Sequence, residues 1–414
     1  MSPSSNPRPH RESGEPLRLR RPADIAAEMA SGRPPGRVGG EADLEWPEGF
    51  ASAASDRTAL LVLLSLAALT PRRLLELAAE HGVASACLEE VLAGHAGSEA
   101  DRAYASSIDP ADVADGMRAA GARLVAVHDP EYPPALHDLA DPPAGLFVVG
   151  SPLSEVERAV AIVGARRCSA LGADVAKSLA AGLARTGVCV ASGGARGIDG
   201  AAHRGALDAG GTTVAVLGCG VDMPYPAEHR GLFADIRRQG ALVGEYPPGT
   251  RAEPFRFPAR NRIVAALSCA VVVVEGARGS GSMITAEHAM EIGRDVFAVP
   301  GSVTSPLSFA PHMLIRDGAG LVRGPDDLLG DLGIAVAGSE AGGTAATNEL
   351  SSVDAALGAD ERAVWDALVG PSAPDQLVRD VNRPLSRVMG ALVGLELRRM
   401  VRQVGGRYER RPSP

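Results

Sequence analysis

The middle of the chain alternates between short apolar runs and longer stretches whose apolar residues recur every three or four positions. The apolar runs predict β-strands at residues 159–163, 188–191, 213–216, 241–244, 270–274 and 296–298. The stretches between them predict helices near residues 171–186, 200–209, 227–239, 259–267, 282–292 and 311–317. A run that is apolar at every position is typical of a strand covered by helices on both faces. The pattern therefore predicts an α/β fold with a doubly wound parallel sheet.

The segments on either side of this sheet domain, residues 120–332, have different patterns. Residues 1–50 are rich in Pro, Gly, Ser and Arg without periodicity, so we expect a disordered tail. Residues 55–105 predict a small helical module of SAM or helix-hairpin-helix type. Within it, Thr70 and Pro71 begin a helix that ends at Gly82. A predicted strand at 123–127 and proline-bounded apolar pieces up to residue 150 are interpreted as a lead-in to the sheet.

The C-terminal part of the chain is predicted to form a separate domain. Residues 333–354 are rich in Gly, Ala, Ser and Thr, which is typical of a flexible linker. Residues 355–410 then show three helical stretches followed by a hairpin pattern whose turn is Gly405-Gly406. Three helices and a β-hairpin in this order predict a winged helix.

Length, charge and cysteine content limit the class of protein. A chain of 414 residues is expected to form two or three domains, and no apolar run is long enough to predict a membrane span. The N-terminus has no signal-type apolar core, so we expect a cytoplasmic protein. Five scattered cysteines predict neither a disulfide framework nor a zinc site. The net charge of −9 argues mildly against nucleic-acid binding, but binding depends on where charges cluster.

Two glycine-containing motifs follow predicted strands. Gly164 and Arg166 come after the strand at 159–163, and Ser192, Gly193, Gly194 and Arg196 come after the strand at 188–191. Backbone amides at such strand ends can face a phosphate, and arginine can pair with it. Neither motif matches a dinucleotide or P-loop fingerprint. The alternative is a pair of tight turns, with Asp199 capping the next helix and His203 in a structural role.

The third motif combines arginines with aromatic rings. It comprises Arg256, Phe257, Arg260, Asn261 and Arg262, in a protein whose aromatic content is only 3%. Guanidinium groups for phosphates beside aromatic faces for bases are typical of single-strand recognition. Further along, Ser280 and Ser282 lie in another glycine-rich strand end that suits phosphate or sugar contacts. For the arginine-rich third motif, the alternative is that it forms a helix N-terminus and that its arginines pair with acidic neighbours.

Taken together, these motifs resemble the DNA-processing protein A (DprA/Smf) family from residue 125 to residue 329. The resemblance rests on V-G-x-R (163–166), S-G-x-A-x-G-I-D-x-x-A-H (192–203), F-P-x-R-N-R (257–262) and S-G-S-x-x-T-A (280–286). Tyr132-Pro133, Tyr225-Pro226, V-P-G (299–301) and residues 314–319 complete it. Where the family usually has a glycine this chain has Ala310, a departure that could alter a tight turn.

The resemblance implies an extended Rossmann-like sheet flanked by a small helical domain and a winged helix. It also implies a protein that binds single-stranded DNA, loads the RecA recombinase during natural transformation or recombination, and helps to remove single-strand-binding protein. Family members dimerise through the α/β domain. The expected DNA contacts include phosphates at Arg166 and residues 192–196, a base at Phe257, and backbone or base edges at residues 260–262. No catalytic residue, metal or cofactor is expected.

Two other functions remain open at this stage. Nucleotide phosphoribohydrolases of the LOG type have a related sheet, but residues 278–287 do not match their P-G-G-x-G-T-x-x-E motif. A winged-helix regulator with a ligand-sensing α/β domain would instead bind duplex DNA sequence-specifically. Competition between single-stranded and duplex DNA would separate that possibility from the family-based prediction.

Overall fold

A computed structural model describes residues 44–334, 357–397, 400–404 and 406–410. Nine strands form one sheet, in the order β1-β2-β6-β5-β4-β3-β7-β8-β9. The seven strands from β6 to β9 run parallel, and β1 and β2 are added antiparallel at the β6 edge. The strands are β1 (Arg123–Ala126), β2 (Gly145–Gly150), β3 (Ala159–Val163), β4 (Cys189–Ser192), β5 (Thr213–Leu217), β6 (Ala241–Gly244), β7 (Ala270–Val273), β8 (Asp295–Ala298) and β9 (Gly320–Leu321).

The helices of the sheet domain lie between successive parallel strands, as predicted. They are α6 (Ala170–Arg185), α7 (Ile198–Asp208), α8 (Arg230–Gln239), α9 (Arg256–Ala266), α10 (Gly281–Glu291), α11 (Phe309–Arg316) and α12 (Pro325–Asp331). Along the chain the strand order first moves from β3 outward to β6 and then reverses to β7. The reversal lies between β3 and β7, and at such a point the crevice beyond the carboxyl ends of the strands is the usual ligand site.

Alternate side chains of the central strands point to opposite faces of the sheet, and both sets are buried. Val160, Ile162 and Val272 pack in one hydrophobic cluster with α6, α7 and α12. Ala161 and Val273 belong to a second cluster, which includes residues of α9 and α10. Because both faces are covered, the strands are apolar at nearly every position, which confirms the doubly wound fold inferred from the pattern.

The N-terminal helices belong to the same hydrophobic core as the sheet. They are α1 (Ala54–Leu63), α2 (Pro71–His81), α3 (Ala84–Ala93), α4 (Glu99–Ser107) and α5 (Pro110–Ala119). Thr70 caps α2 by accepting from the Arg73 amide, as its sequence predicted. Trp46 and Phe50 are also buried here, and the Trp46 indole donates to the Pro142 carbonyl at 3.2 Å. The prediction of disorder up to residue 50 is therefore wrong for this last part, and residues 1–43 lie outside the described residues.

Two strands of the sheet were not predicted. Residues 145–150, interpreted as part of a lead-in, form β2, which pairs with both β1 and β6. The prolines before it lie outside the strand, so they do not interrupt its hydrogen bonding. The short edge strand β9 has only two residues, too few to give a recognisable pattern.

The C-terminal residues form the expected three helices and hairpin. They are α13 (Ala359–Ala367), α14 (Pro374–Val381), α15 (Leu385–Leu397), β10 (Val401–Val404) and β11 (Arg407–Arg410), with a hydrophobic core of their own. Arg402 of β10 pairs with Glu409 on the neighbouring strand and with Asp174 of α6. The predicted linker at 333–354 lies outside the described residues from residue 335 onward. None of the helices in the described part combines the length and apolar character that a bilayer crossing requires.

Candidate nucleic-acid interface

The predicted site residues come from the carboxyl ends of the parallel strands and from helix α9. The loop after β3 contacts the end of β7 directly, since the Ala165 amide donates to the Glu275 carbonyl at 2.7 Å. It also contacts the start of α7, because the Ile198 amide donates to the Ala165 carbonyl at 3.3 Å. The structure thus brings the motifs around Gly164, Ser192 and Ser280 to one edge of the sheet.

At the surface of this edge, aromatic and guanidinium groups stack. The exposed Arg166 guanidinium lies 5.2 Å from the ring centroid of the half-buried Phe257. On the same ring, Tyr225 approaches with a centroid separation of 5.1 Å and is itself 44% exposed. Arg166 and Tyr225 both contact Phe257, and we call this surface cluster of three side chains the Arg166 stack.

Arg196 is also exposed, but an acidic neighbour holds it. Its Nε pairs with Glu228, which lies in the loop between β5 and α8. The hydrogen bond from Arg196 lowers the pKa of the Glu228 carboxyl to about 2. Both side chains are more than half exposed, so water and salt screen the pair and a polyanion can compete for Arg196.

Arg260 was expected to contact the DNA backbone or base edges, but it is buried. Only 5% of its surface is accessible, and its guanidinium donates to the carbonyls of Gly193 and Val216 and to Asn261 Oδ1. Burial lowers its pKa to about 10, which keeps the group charged at neutral pH. In this conformation Arg260 cross-links the ends of β4 and β5 from below the surface, and it has no direct access to a DNA phosphate.

Amides of the loop after β4, predicted to form a nest for a phosphate, already bond to an acidic side chain of the chain itself. The buried Asp199 carboxylate accepts from the Ala195 amide at 3.3 Å and from the Gly193 amide. Burial raises the pKa of Asp199, whereas the neighbouring Arg260 and Arg166 charges lower it. Asp199 is not the helix cap, since Gly197 occupies that position of α7. Gly193 and Gly194, predicted to contact phosphate, are both buried: the Gly193 amide bonds to Asp199, and the Gly194 carbonyl bonds to His229 Nδ1 at 3.1 Å.

A second carboxylate fills the corresponding place at helix α6. Glu275, at the end of β7, accepts from the Ser169 amide at 2.8 Å and from its hydroxyl at 2.5 Å. Ser169 is the N-cap of α6, and a Cβ on Gly172 would collide with the Glu275 carboxylate. Acidic side chains of the chain itself thus bond to the N-cap of α6 and to the loop before α7.

Arg262 is also buried rather than available to DNA. It pairs with Glu245 at 2.7 Å and with Asp141 at 3.1 Å. Glu245 follows β6 directly, whereas Asp141 lies before β2, so the pair fixes helix α9 to the antiparallel edge of the sheet. For this residue the alternative interpretation, arginine paired with acidic neighbours, is the correct one.

The serines of the predicted site have mainly structural contacts. Ser192 is fully buried and donates to the Ile162 carbonyl at 2.7 Å. Ser280 is the N-cap of α10 and shares a 2.7 Å hydrogen bond with the buried Ser282. Asn261 donates to the Gly281 carbonyl at 3.2 Å, which joins this loop to α9. Gly164 is close-packed, since a Cβ there would clash with Ile198 and the Glu275 carbonyl.

Comparison with known proteins decides the family. The family model of DNA recombination-mediator protein A matches residues 123–333, and the model of the DprA winged helix domain matches residues 349–407. The chain is 42% identical over 341 residues to the putative DNA processing protein DprA of Mycobacterium tuberculosis, covering 77% of this chain and 83% of that protein. The chain belongs to the DprA/Smf family.

Another DprA/Smf protein and a solved structure agree with this assignment. The DNA processing protein DprA of Streptococcus pneumoniae is 45% identical over 200 residues, which are 48% of this chain and 71% of that protein. The X-ray structure of DprA from Streptococcus pneumoniae superposes with a TM-score of 0.59 at 35% identity, covering 66% of this chain and 97% of that chain. The resemblance inferred from the motifs is therefore confirmed, together with the mixed α/β fold.

The departure from the DprA/Smf pattern at Ala310 has no effect on a turn. Ala310 lies in the first turn of α11 and is fully buried, and its φ is not positive. Its amide donates to the Gly276 carbonyl at 2.8 Å. Since an L-residue adopts helical φ and ψ without strain, alanine replaces the family's glycine here without altering the loop.

His203 has the structural role that the alternative interpretation gave it. It is fully buried, and its Nδ1 bonds to the Thr213 hydroxyl at 2.7 Å, while that hydroxyl donates to the Val190 carbonyl at 2.6 Å. The hydroxyl proton is committed to Val190, so Nδ1 must carry the hydrogen of a neutral imidazole. Burial lowers the pKa of His203 to about 3.

Sequence reasoning missed several aromatic partners of the surface arginines. Tyr225 was noted only as part of a family motif, and Tyr246 and Phe309 were not noted at all. Arg256 lies 4.7 Å from the Tyr246 ring centroid, and the exposed Arg278 lies 4.3 Å from that of Phe309. These partners are distant or unpatterned in sequence, and only their rarity as aromatic residues could have drawn attention to them.

Proposed function

We propose that this protein binds single-stranded DNA along the carboxyl edge of its sheet. The observation that carries the proposal is the Arg166 stack, in which an exposed guanidinium, a half-buried phenylalanine and an exposed tyrosine lie in contact. Exposed rings can stack on unpaired bases, while guanidinium groups meet the phosphates between them. In a duplex the base faces are already stacked on one another, so the cluster favours single strands.

The charge distribution supports the same function despite the negative total. Arg166, Arg167, Arg196 and Arg278 are all exposed in the loops at this edge. Beneath them, Arg260 remains charged and contributes to the local potential without touching the ligand. A local group of cations attracts a polyanion whatever the sum over the molecule, because charges beyond a Debye length are largely screened.

The cellular role follows from family membership and is part of the proposal. Curated relatives are named DNA processing protein DprA. We expect this protein to act in the cytoplasm, to bind incoming or recombining single strands as a homodimer, and to load RecA onto them while displacing single-strand-binding protein. No observation on this chain favours the phosphoribohydrolase alternative or a sequence-specific duplex regulator.

A salt-titrated binding assay tests the DNA site. Fluorescence anisotropy with a labelled oligothymidine would compare the wild type with Arg166→Ala, using Arg118→Ala on the distant helix α5 as a matched exposed-arginine control. Loss of one phosphate contact should reduce the slope of log affinity against log salt by about 0.7 for single strands. Only Arg166→Ala should show the reduction, and an excess of duplex should compete poorly. If the duplex competes as well as the single strand, the proposal fails.

A second assay tests the recombination step. RecA ATP hydrolysis on DNA coated with single-strand-binding protein should start sooner when this protein is added. Arg166→Ala should lengthen the delay, and Arg118→Ala should not. If this protein binds DNA but leaves the delay unchanged, single-strand binding stands and RecA loading does not.

A further inference from the structure

An aromatic ring outside the Arg166 stack is exposed without a structural reason. Phe255 is 63% exposed, more than any other aromatic side chain among the described residues. Large apolar side chains on a protein surface are informative when they lie beside a binding site. Phe255 lies two residues before Phe257, at the same end of helix α9.

Local structure does not account for phenylalanine at this position. Phe255 is the N-cap of α9 and makes no side-chain capping bond. The side chains that stabilise a helix at this position are Ser, Thr, Asp and Asn, whose oxygen accepts from the first amides. A phenylalanine forgoes that stabilisation and exposes apolar surface as well. The role of this ring therefore depends on its neighbours.

Arg256 connects the Phe255 ring to the body of the protein. Its guanidinium carbon lies 5.4 Å from the Phe255 ring centroid and 4.7 Å from that of Tyr246. Arg256 also donates from Nη1 to the Arg251 carbonyl at 2.7 Å, which fixes the loop before the helix. One arginine thus contacts two rings, and the exposed Arg251 adds a second cation to the same loop.

We propose that Phe255 is a second stacking platform, which takes a different nucleobase of the single strand from the one at Phe257. Phe257 is half-buried and shares the Arg166 stack with Arg166 and Tyr225, whereas Phe255 is 63% exposed. The exposed Arg251, in the loop that Arg256 fixes, supplies a cation for the phosphate next to that base. Stacking on a ring accepts any base, so the platform adds affinity without sequence preference.

This inference rests on the proposed function, and abasic DNA separates the two. An abasic oligonucleotide keeps the phosphates but has no base to stack. Phe255→Ala should weaken oligothymidine binding by on the order of 5- to 20-fold, toward the lower end of base–aromatic stacking, and leave abasic binding unchanged. Tyr104→Ala on helix α4, which removes another exposed ring, is the matched control and should change neither.

A tryptophan at the same position gives a direct readout. In Phe255→Trp the new indole is exposed, whereas the native Trp46 is buried in the core and Trp365 belongs to the winged helix. Stacking predicts that oligothymidine quenches the added fluorescence and that abasic DNA of equal length does not.

Three results would overturn the inference. Equal weakening of both oligonucleotides by Phe255→Ala would mean that the ring only supports the loop. Normal binding of both, with impaired RecA loading, would mean that Phe255 contacts a protein. If the wild type itself fails to bind either oligonucleotide, the proposed function fails, and the platform fails with it.

Discussion

Replacing Arg260 tests whether the F-P-x-R-N-R motif acts on DNA or on the fold. A sequence-based interpretation makes Arg260 a phosphate contact, which predicts a shallower salt dependence in Arg260→Ala and little change in stability. The structure predicts the opposite pair of results. Arg260 is 5% exposed and donates to two backbone carbonyls, and its charge acts to lower the pKa of Asp199.

The expected loss of stability is large. Arg260→Ala leaves the Gly193 and Val216 carbonyls without this donor and removes the positive charge beside the buried Asp199 carboxylate. A buried acceptor left without its donor costs about 1–3 kcal/mol, and this substitution leaves two such carbonyls. For a domain of this size that corresponds to a fall in melting temperature on the order of 10 °C. Arg260→Lys keeps the charge but not the planar guanidinium group, so it should lose less stability than Arg260→Ala.

Urea unfolding followed by circular dichroism measures the stability, and the salt-titrated anisotropy assay measures the DNA contact on the same samples. Arg260→Lys, the milder change, keeps the comparison usable if the alanine variant does not fold. The expected outcome is a reduced unfolding midpoint with an unchanged salt slope, the reverse of Arg166→Ala. A wild-type midpoint together with a slope reduced by about 0.7 would refute the structural role.

Two further predictions concern charge. Glu228→Gln removes the charge that holds the exposed Arg196. The affinity for single-stranded DNA should therefore rise a few-fold at low salt, and the gain should vanish at high salt. An unchanged affinity at low salt would place Arg196 outside the interface. Buried His203 has a pKa of about 3, whereas an unfolded imidazole titrates near 6.5, so the unfolded chain takes up the proton first as pH falls. The contribution of neutral His203 to the free energy of unfolding is complete above about pH 6.5. It is lost below that pH, by at most roughly 1.4 kcal/mol per pH unit. As the pH falls from 7 to 4, the urea midpoint of unfolding should fall less steeply in His203→Gln than in the wild type. Parallel falls in the two proteins would contradict the neutral, buried state of His203.

Much of the fold could be predicted because the local pattern and the global fold agree. The buried parallel strands are apolar at nearly every position, and the helices between them begin where glycines and capping serines stand. Strand β2 was missed because prolines before it suggested an irregular segment. The ordered residues Trp46 and Phe50 were missed because they follow a long stretch of tail-like composition.

The site was harder to predict because burial depends on partners far away in the sequence. Nothing near Arg262 indicates that Asp141, 121 residues earlier, will pair with it. Arg260 and Arg166 are both arginines in family motifs, yet one is buried and the other exposed. The motifs predicted that these residues share one edge of the sheet, but they could not separate the residues that build this edge from those at its surface.

The internal carboxylates have a consequence for the size of ligand that this edge can take. At the N-cap of α6 and in the loop before α7, Glu275 and Asp199 already accept hydrogen bonds from backbone amides that could otherwise face a phosphate. A free mononucleotide would have to displace a carboxylate that is tethered to the chain and thus present at high effective concentration. A long polymer needs no such displacement, because it gains by touching several outlying groups at once. We therefore expect this edge to bind a long strand in preference to a mononucleotide.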